Sequence, residues 1–279
     1  MGPIQTLLIV TAIAGVAGTG LGGLVGAMFR KDSNSTVSLL LSFAGGVMLI
    51  VVCFDLIPEA IATNAGLSAV ILSVLLGVAV IYILNAMIDQ DANAKVPHID
   101  EAHPKTADQL NELIHSNYLE EHQKDAGSHL SLVIAGVVMA AAIALHNVPE
   151  GMTIGASYAS HANSSISSAM LLAVLIGLHN IPEGMAVSVP LISGGMGRIK
   201  AVTVTALSGV PTMFGALLGY WLGDVGPLGL TISLGFASGA MLYVVFGEII
   251  PEAILLYRSK LPTFFVIIGC MLGLLIIYI

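Results

Sequence analysis

The chain has 279 residues, of which 56% are hydrophobic and only 9% charged, with a mean hydropathy of +0.95. Soluble globular proteins carry about 25% charged residues, so the composition excludes that class and defines a polytopic membrane protein. The net charge of −8 is not a surface property that could steer nucleic acid, because six of the seventeen acids (Asp55, Glu59, Glu150, Glu183, Glu248 and Glu252) lie inside apolar runs.

The N-terminal stretch MGPIQTLLIVTAIAGVAGTGLGGLVGAMF lacks a basic leader and is longer than the apolar core of a cleaved signal peptide. It is therefore expected to be retained as the first membrane span. A bilayer-crossing helix needs roughly 20 mostly apolar residues. By that criterion the sequence predicts eight spans, at about 4–29, 37–61, 67–88, 130–157, 165–190, 199–222, 228–255 and 262–279. Glycine recurs inside them (GTGLGGLVG, GALLG, GCMLG), as suits close helix contact in lipid, where small residues let backbones approach. Cys53 and Cys270 sit in apolar stretches and form no disulfide framework; each is expected to act as a small hydrophobe.

Span two carries Asp55 and Glu59, four residues apart and thus on one helix face, with Met48 seven residues earlier on the same face. A polar segment at about 89–129 follows span three and holds nine acids and five histidines: His98, His103, His115, His122 and His129. Within it, TADQLNELIHSNYLEEHQ opens on a Thr-x-x-Gln capping pattern. It spaces Leu110, Leu113, Ile114 and Tyr118 like one helix face, which predicts a short amphipathic helix. The loop histidines either hold metal loosely as a receiving element or belong to a solvated loop with no specific site.

Span four contains LHNVPEGM (145–152) and span five LHNIPEGM (178–185). Histidine and glutamate stand at i and i+4 in both, so His146 shares a face with Glu150, and His179 with Glu183. Two such helices facing each other would gather two imidazoles and two carboxylates, a set that suits zinc, iron, cobalt, nickel or manganese. Charged residues at membrane depth cost about 2.5–3.5 kcal/mol each on insertion scales and mark function by default, which sets a metal site above structural polar glue. Asn147 and Asn180, one position round, could add amide oxygens. Pro149 and Pro182 each withdraw a backbone donor, from the carbonyls of Leu145 and Leu178, and Gly151 and Gly184 would ease packing or ligand approach. In span seven Glu248 and Glu252 repeat the Asp55/Glu59 spacing. These four acids, near the span ends, are read as an entry or exit relay for cations or as a proton acceptor, against the alternative of solvated helix ends.

Residues 42–61 (SFAGGVMLIVVCFDLIPEAI) match residues 235–254 (GFASGAMLYVVFGEIIPEAI) at twelve of twenty positions without a gap. Spans two and seven cross in opposite directions, as do spans four and five. Both internal matches therefore predict inverted-topology repeats, an architecture that favours transport through a midplane site. All nine Lys and Arg residues follow spans one, three, five or seven. The positive-inside rule places those four loops in the cytoplasm and both termini outside.

The paired HNxPEG motifs, with FAGGVMLIVVCFDLIPEA and FASGAMLYVVFGEIIPEA, closely resemble the ZIP family of divalent metal transporters, in particular its bacterial zinc-permease and GufA-like branches. The resemblance spans all eight predicted helices. It implies an all-α fold of 3+2+3 inverted repeats, one transporter domain over 1–279, and import of zinc and related ions (iron, manganese, cobalt, cadmium) into the cytoplasm. The motion it implies is that of one helix group against another. Carried over, the metal site would lie between spans four and five. It would use His146, Asn147, Glu150, His179, Asn180 and Glu183 with a span-two methionine, for which Met48 is the candidate and Val47 the alternative alignment. Thr212, in SGVPTMFGALLG, stands where two-metal members carry a glutamate, which puts a second site in doubt. The expected partners are the ions and the lipid bilayer of the cell membrane, with a homodimer as a candidate assembly, and no resident cofactor. The competing reading is an intramembrane metal-dependent hydrolase. The chain has no HExxH pattern, and its mirrored carboxylates suit passage better than catalysis.

Overall fold

The structure is a computed structural model that describes residues 2–28, 34–95, 126–160 and 166–278. Regular structure among the described residues is helical throughout, and eight helices are long and apolar enough to cross a membrane. Spans one to eight are Pro3–Met28, Ser35–Ala62, Leu67–Met87, Gly136–Ala159, Ala169–Ser193, Arg198–Asp224, Pro227–Leu256 and Leu261–Tyr278. The helix of span three continues to Lys95 and that of span four begins at Ala126. Helix thus replaces both ends of the predicted 89–129 loop, and His129 lies in it. The predicted amphipathic helix, with His98, His103, His115 and His122, lies outside the described residues.

The packing repeats itself. Span one lies along span five and span six along span four; span two lies along span eight and span three along span seven. Spans four and five touch each other, and they reach across to spans seven and two respectively. Exchanging one with six, two with seven, three with eight and four with five maps these contacts onto one another, as inverted repeats require. Spans one, four, five and six form one group, and two, three, seven and eight the other. Spans three and eight are the least buried of the eight and present the broadest lipid faces.

Glycines set this geometry at mirrored places. A Cβ on Gly151 would lie 1.9 Å from the Thr212 carbonyl oxygen, and one on Gly184 would lie 2.1 Å from that of Thr19. In the other group, Gly77 approaches Phe236 O and Gly269 approaches Phe43 O, each leaving 2.1 Å for a hypothetical Cβ. No side chain fits at such separations, so the interhelical contact is backbone on backbone.

Helix irregularities are mirrored as well. Pro58 and Pro251 have no N–H to offer the turn before them. Ahead of each, the helix widens into one π-helical turn, Val52–Leu56 in span two and Val245–Ile249 in span seven. Asp55 and Glu248 stand in those turns, which changes the direction in which each acid projects. Span one has a π-helical turn at Ile13–Ala17, and span six is interrupted between Ser208 and Pro211. Pro149 and Pro182, by contrast, are carried inside unbroken helices.

Candidate metal centre

The two LHNxPEGM segments meet where spans four and five cross. His146, Asn147, Glu150, His179, Asn180 and Glu183 are all buried. One ligand atom each from Glu150, His179 and Glu183 lies within 4.8 Å of the other two. His179 Nε2 is 2.8 Å from Glu150 Oε1, joining the two helices directly. Glu150 Oε2 and both carboxylate oxygens of Glu183 are buried without a hydrogen-bond partner among the described residues. A buried carboxylate without a donor is costly to maintain. Acceptors turned on one point with that cost unrelieved are what a cation would satisfy.

His146 is turned differently from its repeat-mate. Its Nε2 lies 2.6 Å from Glu248 Oε2 on span seven. The other oxygen of Glu248, Oε1, accepts a 2.7 Å hydrogen bond from Asn85 Nδ2 on span three. Glu150 and Glu183 both remain within electrostatic reach of His146. The sequence places Glu248 near a span end; span seven runs on to Leu256, and Glu248, in its π-helical turn, bonds a histidine of the central motif. Asn85 is the residue the sequence reading missed. Its signal was an amide inside the apolar run IYILNAMI.

Met48 is 1% exposed and Val47 5% exposed, both on span two, which packs against span five. The repeat-mate of Met48, Met241, is also buried, and Thr153 Oγ1 donates to its Sδ at 3.7 Å. Asp55 and Glu59 are partly exposed and Glu252 is buried; none of the three belongs to the close Glu150/His179/Glu183 group. The amides of Asn147 and Asn180 are directed at protein groups: Asn147 Nδ2 donates to Ile143 O and Ser208 O, and Asn180 Nδ2 to Ala14 O.

A membrane-embedded cluster of imidazole and carboxylate at the junction of two inverted repeats has the chemistry to hold a divalent metal ion and the placement of a carrier's substrate site. Residues 6–279 match the profile of the family described as ZIP Zinc transporter, and the chain belongs to that family. Similar proteins include the zinc transporter ZupT of Chlorobium luteolum, 35% identical over 91% of this chain and 90% of that protein. ZupT of Clostridium perfringens is 30% identical over 91% of this chain and 88% of its own length. ZupT of Streptococcus mutans is 32% identical over 96% and 94% respectively.

Proposed function

We propose that this chain carries divalent transition-metal ions, zinc foremost, into the cytoplasm through the site between spans four and five. The observation that carries the reading is the buried Glu150/His179/Glu183 group, with three carboxylate oxygens that no described protein donor satisfies. Two carboxylates balance the charge of a divalent ion, and neutral imidazole suits zinc as well as iron, manganese and cobalt. Glu150, His179 and Glu183 are the ligands in this reading, with His146 completing the set and Met48 supplying a thioether from span two. To bind, the ion takes Glu150 from His179 and His146 from Glu248, while Glu183 has no protein donor to leave among the described residues. Those two partnerships occupy both histidines when no ion is held and leave the Glu183 carboxylate open for the ion, which can leave again because they re-form.

In this reading Asp55, Glu59, Glu248 and Glu252 line the route to and from the centre. The loops rich in Lys and Arg face the cytoplasm and both termini the outside of the cell membrane. Membership of a transporter family favours passage of the ion over hydrolysis. The test is zinc uptake into proteoliposomes by the purified chain, with Glu183→Ala as the control. Saturable uptake that the variant lacks supports the reading. A folded wild type without flux overturns it, and uptake unchanged in Glu183→Ala overturns the site.

A further inference from the structure

We infer that Asn147 and Thr212 form a clasp that fixes the ligand-bearing helix of span four against span six, and that both are positioning residues, not ion ligands. The inference rests on the metal centre proposed above and concerns what holds it in register.

Its origin is in two broken helices. In span one the π-helical turn moves the Gly18 amide off Ala14 and onto Ile13. In span six the amide of Thr212 bonds Gly209 O and so does not serve Ser208 O, and Pro211 has no amide to offer. The two asparagines of the repeated motif address these two carbonyls: Asn180 Nδ2 donates to Ala14 O at 3.1 Å, and Asn147 Nδ2 to Ser208 O at 3.0 Å. Each motif asparagine thus ties its helix to the span it packs against, at mirrored irregularities of spans one and six.

On the span-six side the tie is complete. A side-chain amide has two N–H donors and two acceptor lone pairs. Asn147 donates to Ile143 O and Ser208 O, both at 3.0 Å, and its Oδ1 accepts from Thr212 Oγ1 at 3.0 Å and from Asn180 Nδ2 at 3.4 Å. All four positions are filled by protein, and Asn147, Asn180 and Thr212 are each 0% exposed. No lone pair of Asn147 is left for an ion. Thr19, at the mirrored place in span one, spends its hydroxyl on Gly15 O of its own helix at 2.8 Å. Asn180 Oδ1 correspondingly has no partner among the described residues, so the clasp proper consists of Asn147 and Thr212. Because Asn147 adjoins His146 and lies one turn from Glu150, its anchoring sets where those two ligands point.

The test uses the purified full-length chain with zinc and with Co²⁺, whose visible absorption reports ligand geometry. Asn147→Asp keeps the shape but removes two donations and sets a carboxylate against two carbonyls. Affinity at the His179-dependent site should fall about tenfold, on the scale of one to two lost buried hydrogen bonds, with no additional ion bound. Thr212→Val should weaken binding and alter the Co²⁺ spectrum, and Thr212→Ser should restore both. Tighter binding or an additional ion in Asn147→Asp would show a ligand and overturn the clasp. So would a Thr212→Val protein with unchanged affinity and spectrum, or one that loses only thermal stability. If Asn147→Asp does not fold, the Val/Ser pair at position 212 decides alone. A wild type without His179-dependent binding would instead defeat the metal centre itself, and is told apart by that.

Discussion

Spans one to three and spans six to eight repeat the same interhelical packing and use it for different chemistry. Gly77 meets span seven as Gly269 meets span two, and a π-helical turn precedes Pro58 as another precedes Pro251. Polar side chains break this match. Glu248 is bonded to His146 and held by Asn85. The corresponding acid on the other half is Asp55, one methylene shorter, and its nearest counterpart among the histidines, His179, pairs with Glu150. Thr212 reaches across to Asn147, whereas Thr19 bonds its own helix. Backbone contact through glycine builds the repeat, and a few polar substitutions give its two faces different work. Such a division suits a carrier, whose two openings face solutions of different composition.

The comparison breaks most severely at the shared centre. Glu150→Ala and His179→Ala should each abolish zinc uptake while leaving a folded protein, read as proteoliposome flux beside size-exclusion behaviour. Equal losses from the two repeats would show that the centre is one site; survival of flux in either would assign the ion to a single motif. Next come the glycines. Gly151→Ala and Gly184→Ala each force a methyl against backbone, with a cost of about 1–3 kcal/mol from overpacking. The two should lower the thermal midpoint by similar amounts, and a large difference would show that the mirrored contacts are unequal in energy.

Much of this was legible in the sequence because the relevant signals were local and repeated. The eight apolar runs, the glycines, and the 42–61/235–254 match define spans and inverted repeats without any tertiary knowledge. The His-x-x-x-Glu spacing puts each histidine and its glutamate on one face by helix geometry alone. What the sequence did not carry was direction around the helix. One residue from His146, Asn147 faces a different neighbour, and only the break at Ser208–Pro211 explains why that neighbour has a carbonyl to offer. Glu248 reads as a span-end acid until the π-helical turn re-aims it. The partner of Asn85 was not legible for a related reason: it is 163 residues away, and no spacing rule connects the two.

The asymmetry between the halves gives a smaller effect. Glu248→Gln removes the charge that His146 is bonded to. A charge-assisted hydrogen bond is worth roughly twice a neutral one, so uptake should fall about tenfold on the scale of such a bond. Asp55→Asn, at the mirrored turn, should cost less. The reverse order, measured as initial rates over a range of zinc concentrations, would mean that the route runs chiefly along span two.

Asn85→Leu should have the mildest consequence and gives the sharpest reading of how Glu248 is used. The amide of Asn85 touches Glu248 and not the close Glu150/His179/Glu183 group. Its removal frees Oε1 and lets the carboxylate turn away from His146, but the charge stays nearby. Uptake should therefore fall by less than in Glu248→Gln. Because Asn85 acts through Glu248, the double variant Asn85→Leu/Glu248→Gln should be no worse than Glu248→Gln alone, which is the non-additivity expected of residues in one hydrogen-bonded network. If the two losses instead add, Asn85 acts on the ion's route independently, and span three belongs to that route in its own right.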